Sequence, residues 1–292
     1  MSKETYTEML HLSKANNERL QQINEIIEEY REQGYKLTLR QLYYQLVSRD
    51  VIPNRTEEYA KLSTILVKGR MAGIVDWEAI EDRIRVPKIP YYASGIKGGI
   101  NNLISQYRLD RMKDQDVYIE VWVEKDALSG VISRVTEKYH VRLMVNRGYS
   151  SATAMHDASE RIICATDEGK EATILYLGDH DPSGMDMVRD IRNRLLEFGA
   201  DVTVEHCALL DEHIEKYNPP PNPAKVTDPR AGKYIAQYGK TSWEVDALPP
   251  TVLNGIIQTH IDQMIDHSKY RAIMVQETTD IEKMKRFADG IK

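Results

Sequence analysis

Two stretches of this chain hold residues whose types and spacing suit chemistry on phosphates. In LGDHDPSG (177–184), Asp179 and Asp181 stand two apart directly after the apolar run ATILYL (172–177). An i, i+2 pair in extended backbone points both side chains the same way, and Pro182 and Gly184 then turn the chain into a helical pattern. Glu124 takes the matching place after an earlier apolar run, VYIEVWV (117–123), inside VEKDA (123–127). Three carboxylates carried just past strand ends are hard oxygen donors that leave room for water and phosphate, which suits Mg²⁺, with Mn²⁺ as a substitute. Such an ion stabilises charge developing on a phosphate or on a leaving oxygen, and Glu124 is placed to double as a general acid or base. A lone D-x-D more often caps turns at the surface; here the D-x-D pairs with a glutamate one βαβα segment earlier.

The second stretch is LTLRQLYYQLVSRD (37–50). Leu39, Leu42, Tyr43, Leu46 and Val47 follow the i, i+3, i+4, i+7, i+8 rule and form one apolar helical face. Tyr43 belongs to that face, and Tyr44 falls off it with Arg40 one turn before. A phenol attacks poorly at neutral pH, so a neighbouring cation such as Arg40 helps it. The alternative is a surface tyrosine packing its ring on another helix.

The elements that must position these residues divide the chain. Helical spacing covers 17–33, with Leu20, Ile23, Ile26, Ile27 and Tyr30 apolar and Gly34 as the stop. Thr38 reads as the N-cap of a helix over 39–49. A third helix spans 55–72 and ends at Gly73, and Asp76 caps a short one after it. Short helices with tight connections suit a helix-turn-helix or winged-helix unit over 1–85. A linker follows at 86–113, its proline and glycine concentrated in 86–101. From residue 114 strands (117–123, 141–145, 172–177, 201–206) alternate with helices (127–139, 151–165, 184–197). That alternation predicts an α/β domain with a mainly parallel sheet flanked by helices, and ligands bind such sheets at the carboxyl ends of the strands. An irregular proline-rich arm (218–230) and helices over 250–266 and 277–289 complete the chain.

Composition narrows the partners. No run of about 18 apolar residues exists to span a membrane, and MSKETYTEML has no apolar secretory core. Two cysteines, Cys164 and Cys207, are too few and too far apart for a zinc cluster or disulfide framework, which fits a cytoplasmic protein. The net charge of −6 is uneven: residues 1–113 carry 18 Lys+Arg against 15 Asp+Glu (+3), and 114–292 carry 21 against 30 (−9). A mildly basic front half and an acidic back half suit a nucleic-acid-binding module joined to one that collects metal ions, although two domains also differ this much by chance.

Taken together, T-x-R-x-x-Y-Y, VEKDA and D-x-D-P-x-G resemble the A subunit of topoisomerase VI and the related meiotic double-strand-break transesterases. The resemblance covers roughly 36–85 and 115–210, with a weaker echo in WEVDALPP (243–250). It implies a winged-helix-like domain bearing the nucleophile Tyr44 with Arg40 in support. It also implies a Toprim domain whose Glu124, Asp179 and Asp181 hold Mg²⁺. Gly148, in NRGYSS (146–151), falls where that family turns tightly after its second strand. Arg40-Gln41 stands where the family has arginine followed by an acid, and Ser183 where it has an aromatic residue or histidine. The implied activity is Mg²⁺-dependent cleavage of double-stranded DNA by tyrosine transesterification, in the cytoplasm at the nucleoid. The implied partner is a second copy of the chain, with Tyr44 of one protomer working at the metal site of the other and too far from its own. No P-loop is present, so ATP-driven strand passage would require a separate ATPase B-type subunit. Two other readings stand beside it: a hydrolytic Toprim nuclease with Tyr44 structural, and a DNA-binding regulatory module with a degenerate site.

Overall fold

The computed structural model describes residues 4–7, 12–81, 90–146 and 150–290; Gly148 and residues 86–89 of the expected linker lie outside them. The first unit is helical. Helix α1 (Lys14–Glu32) starts at the Ser13 cap and turns Leu20, Ile23, Ile26, Ile27 and Tyr30 inward; Gly34, at φ +78°, ends it. Helix α2 (Leu39–Ser48) opens on a capping box in which Thr38 accepts from the Gln41 amide and the Gln41 side chain accepts from the Thr38 amide. Gln41 therefore has a local structural reason for its place beside Arg40. Helix α3 (Thr56–Met71) completes the unit, and the missing side chain of Gly69 admits Leu20: a Cβ there would lie 2.5 Å from Leu20 Cδ2.

Asp76 caps no helix. Its carboxylate accepts from the Glu78 amide in a turn and pairs with Arg31 at 2.6 Å. Among the described residues up to 81 there is no strand, only isolated bridges at Thr5–Ala72 and Leu37–Ile80. Part of the expected linker is also ordered as helix α4 (Ile96–Gln106).

The remaining chain builds an α/β layer. Strands β1 (Val117–Val123), β2 (Arg142–Val145), β3 (Glu171–Leu177) and β4 (Thr203–Ala208) form one parallel sheet in the order β2-β1-β3-β4. Between them run α5 (Ser129–Tyr139), α6 (Ala152–Asp167) and α7 (Pro182–Glu197). After β4 come α8 (Asp211–Tyr217), the two-residue strand β5 (Asn222–Pro223), α9 (Ala231–Tyr238) and β6 (Thr241–Ser242), which pairs with β5. Helices α10 (Pro250–Met264) and α11 (His267–Asp289) finish the fold. The last helix begins ten residues earlier than its apolar pattern suggested, because Asp266 caps it by accepting from the Ser268 and Lys269 amides.

Strand alternation separates two cores. Ile119, Val121 and Val123 face α5 and α10, where Leu253, Ile257 and Ile261 form a buried stripe. Trp122, Ile174 and Tyr176 face α6 and α7. Glu120 is fully buried on that second side, and Arg161, the Tyr118 hydroxyl and the Trp122 indole all donate to it, so its charge is compensated. Ala247, just before α10, packs into the core of α1–α3 and joins the helical unit to the sheet.

Candidate functional site

The sheet order reverses between β1 and β3: β2 lies beyond one and β4 beyond the other. The crevice at their carboxyl ends is the topological switch point of an open parallel sheet. Glu124 leaves β1 there and its amide donates to Leu177 O at 3.0 Å, while Glu124 Oε2 accepts from the Asp179 amide at 3.1 Å and the Tyr176 hydroxyl at 3.4 Å. Burial pushes the Tyr176 phenol up most, and the charges of Glu124, Asp179 and Asp181 push it further.

Asp179 and Asp181 are buried, each 7% exposed, not the open strand-end carboxylates expected. Asp179 Oδ1 accepts from Lys125 Nζ at 2.8 Å and from the Val245 amide at 2.9 Å. Asp181 Oδ1 caps α7, accepting from the Ser183 amide (2.9 Å), the Ser183 hydroxyl (2.7 Å) and the Gly184 amide (2.7 Å). Ser183 is thus part of the cap. His180 between them packs its ring among Tyr234, Tyr238 and Trp243, with Nδ1 2.8 Å from the Tyr234 hydroxyl. These contacts fix α9 to the loop.

Gly184 closes on the same loop. A Cβ there would lie 2.1 Å from Asp179 O, a backbone atom with little room to move. Gly184→Ala should lower stability by about 1–3 kcal/mol, read as a lower urea midpoint with an unchanged slope.

The tyrosine helix meets this edge within one chain. Arg40 donates to both Glu244 and Asp246, Nε lying 2.6 Å from Asp246 Oδ2. Lys125 Nζ reaches the same two carboxylates at 2.9 and 3.2 Å while holding Asp179. Glu244, Asp246, Lys125 and Arg40 thus link α2 to the β1/β3 edge. Tyr44 is therefore tied to Asp179 of its own chain in series, through Glu244 and then Lys125.

Tyr44 is also not free: it is 5% exposed, with its ring edge on Tyr43 and 5.5 Å from the Arg40 guanidinium. Burial pushes its phenol up and hydrogen bonding to Glu244 adds to this, outweighing the opposing pull of Arg40. Tyr43 is core as expected, its hydroxyl 2.9 Å from Asn54 Oδ1.

Burial also pushes Asp179 up; Lys125 opposes this, and Glu124 and Asp246 add to it. The edge collects Glu124, Asp179, Asp181, Glu244 and Asp246 against Lys125 and Arg40, with Lys225 3.8 Å from Asp181. Carboxylate oxygens in excess over cations are the donor set of a hard divalent ion. The three expected ligands do not yet converge, however. Among the described residues, the cluster whose ligand atoms lie within 4.8 Å of one another is Glu205, Cys207 and His260.

Glu244 supplies a test of the link. Burial would raise its carboxyl, but Lys125 and Arg40 outweigh burial and hold it at about 2. A depressed carboxylate contributes stability that is present above its unfolded value of 4.5 and is lost as pH falls toward 2. The contribution near neutrality is on the order of 2–3 kcal/mol. The stability gap between wild type and Glu244→Gln should shrink as pH drops below 4.5; urea midpoints across the acid range check this.

Sequence reasoning missed Lys125, Tyr176, Glu244 and Asp246. Lys125 sat in VEKDA without a role, and E-x-D in WEVDALPP repeats the i, i+2 carboxylate spacing of D-x-D. No protein-family model, curated protein or solved structure matches this chain.

Proposed function

We propose that this chain cleaves the phosphodiester backbone of DNA, with Glu124, Asp179 and Asp181 holding a divalent metal and Tyr44 as the attacking group. The observation carrying this reading is the docking of the Arg40–Tyr44 turn on Glu244 and Asp246, whose partner Lys125 also holds Asp179. The tyrosine motif stands about 80 residues before Glu124 and about 135 before Asp179 in sequence, and its Arg40 pairs with the carboxylates that Lys125 also holds. In this reading 1–85 is a winged-helix-like DNA-binding unit and the sheet domain is a Toprim domain, as in type IIB topoisomerase A subunits. No helix among the described residues is long and apolar enough to cross a membrane.

A Mg²⁺ or Mn²⁺ ion held by Glu124, Asp179 and Asp181 would supply charge neutralisation at the scissile phosphate. Among the described residues, Glu124 takes its hydrogen bonds on Oε2 and Asp179 on Oδ1, which leaves Oε1 and Oδ2 as the donors toward a metal. Lys125 and Arg40 are cations within reach of an incoming phosphate. The Tyr44 oxygen bonds to phosphorus as the 3′-oxygen leaves, giving a 5′-phosphotyrosine. The phenol proton would leave to solvent past Glu244, to which the phenol is hydrogen-bonded, and the departing 3′-oxygen would take a proton from solvent water positioned by Glu124. Cutting both strands takes two such sites, most simply supplied by a symmetric homodimer, and strand passage takes a separate ATPase subunit.

Hydrolysis is the second reading, favoured by one observation: Tyr44 is buried and its phenol is raised. Water would then attack, and Tyr44 would brace α2. The deciding experiment is denaturing gel analysis of end-labelled DNA after incubation with the protein and Mg²⁺ or Mn²⁺. A protein-linked 5′ end supports transesterification, and a free 5′-phosphate supports hydrolysis. Binding without any cleavage leaves a regulatory module with a degenerate site.

A further inference from the structure

A second cluster of donor atoms lies at the far edge of the sheet, of different chemistry from the carboxylates at the β1/β3 crevice. Strand β4 is an edge strand paired only with β3. Its Glu205 and Cys207 are two apart and share a face, and α10 covers that face with His260. The Oε, Sγ and imidazole nitrogen of the three lie within 4.8 Å of one another. Cys207 is 1% exposed, whereas the Glu205 and His260 side chains are 41% and 26% exposed.

The hydrogen bonds of His260 point to a missing positive charge. Its Nδ1 lies 2.8 Å from Ile256 O. A carbonyl only accepts, so Nδ1 carries the proton, and in the neutral ring Nε2 presents a bare lone pair. That lone pair faces Glu205 Oε1, also an acceptor, at 3.3 Å. Two acceptors at this distance repel unless a proton or a metal ion lies between them. A backbone carbonyl orienting the remote nitrogen is also the usual support of a metal-bound histidine.

Distance and donor type favour a metal. Tetrahedral Zn²⁺ with nitrogen and oxygen bonds of about 2.0–2.2 Å places the two donors about 3.3–3.5 Å apart, and Nε2 and Oε1 are already at 3.3 Å. A proton on Nε2 would explain the His260–Glu205 contact alone, whereas a metal ion would engage the sulfur within 4.8 Å as well. A thiolate beside imidazole and carboxylate suits Zn²⁺ and disfavours Mg²⁺.

His213, nearby on α8, is not a fourth ligand. Its Nδ1 accepts from the Leu210 amide at 3.2 Å, so its Nε2 is the protonated nitrogen. It lines, with His260, Lys216 and Tyr217, a cavity of about 590 Å³ beside α10.

We propose that Glu205, Cys207 and His260 form a zinc site with three protein ligands and an open fourth position, tying α10 to the edge strand β4. Binding replaces the Cys207 S–H bond with a zinc–sulfur bond and releases the proton to solvent. Without metal the thiol is only a weak donor to Glu205 O at 3.6 Å, and burial pushes it up. Counting cysteines overlooks such a site because two of its three donors are not cysteines.

The test uses the full-length protein, stripped with a chelator, reloaded with Zn²⁺ or Co²⁺ and dialysed. Wild type should retain equimolar zinc, melt at a higher temperature with zinc than after stripping, and show a thiolate-to-cobalt charge-transfer band with Co²⁺. His260→Gln changes a partly exposed ring on a helix surface and should remain folded while zinc affinity falls by about tenfold or more. Cys207→Ser should abolish the cobalt–sulfur band. Asp179→Asn should retain zinc like wild type, because the carboxylate edge is a separate site. Absence of zinc from folded wild type, or equal retention by folded His260→Gln, overturns the assignment.

Discussion

Asp179→Asn and Asp181→Asn should each lower metal-dependent DNA cleavage by about 10²–10³-fold, with little loss of folding stability. Asparagine is the informative replacement because both carboxylates also support the fold. Asp179 Oδ1 accepts from Lys125 and the Val245 amide, and an amide oxygen can keep the Val245 bond. Asp181 Oδ1 caps α7, a position asparagine fills as well as aspartate does. Alanine would instead remove the cap, at about 1 kcal/mol, or leave the buried Val245 amide unsatisfied, at about 1–3 kcal/mol. Losing one anionic metal ligand removes several kcal/mol of charge stabilisation at the phosphate, about 3–4 kcal/mol for the drop given. Rates on labelled DNA at saturating Mn²⁺, beside urea midpoints, separate the two effects. Wild-type cleavage by either folded variant would remove that carboxylate from the metal set.

The parallel layer was legible because each strand is a short apolar run bounded by turn residues and each helix has a one-sided stripe. VYIEVWV became β1 without a change of boundary, and α2 begins where Thr38 marked it. The boundary errors share a cause: caps act through one side chain, so Asp266 could begin α11 well before its buried face repeats, and Asp76 could bond into a turn instead. Three of the five edge carboxylates stood out because strand ends bring Glu124 and the D-x-D together. Glu244 and Asp246 did not, because their place depends on a connection that returns along the arm to pair Trp243 with His180. The burial of Tyr44 was hidden for a related reason. Helical periodicity marks one apolar face of α2, whereas Tyr44 off that face is buried in the same cluster as α1–α3, which Ala247 joins from the connection where Arg40 meets residues about 200 positions away.

Tyr44→Phe should abolish the protein-linked 5′ end and reduce DNA cleavage to background, while Tyr43→Phe should keep cleavage. The Tyr44 change deletes only a hydroxyl, and it leaves the ring in its contacts with Tyr43 and Arg40. Glu244 stays paired with Lys125 and Arg40, so the variant should fold. The Tyr43 hydroxyl bonds to Asn54 and to Arg55 O, away from the acidic edge. Its loss should cost about 1 kcal/mol of stability and no adduct. Mixing variants asks which protomer supplies the tyrosine. Tyr44 and Asp179 of one chain are linked in series through Glu244 and Lys125. A dimer of one Tyr44→Phe and one Asp179→Asn chain then has two broken sites and should stay inactive. A site shared between protomers would instead leave one intact pairing and restore nicking. Recovered nicking in verified heterodimers would mean that the α2–edge contact opens and Tyr44 crosses to the second chain. Full cleavage by Tyr44→Phe alone would assign the attack to water and leave Tyr44 as the brace that holds α2 against Glu244.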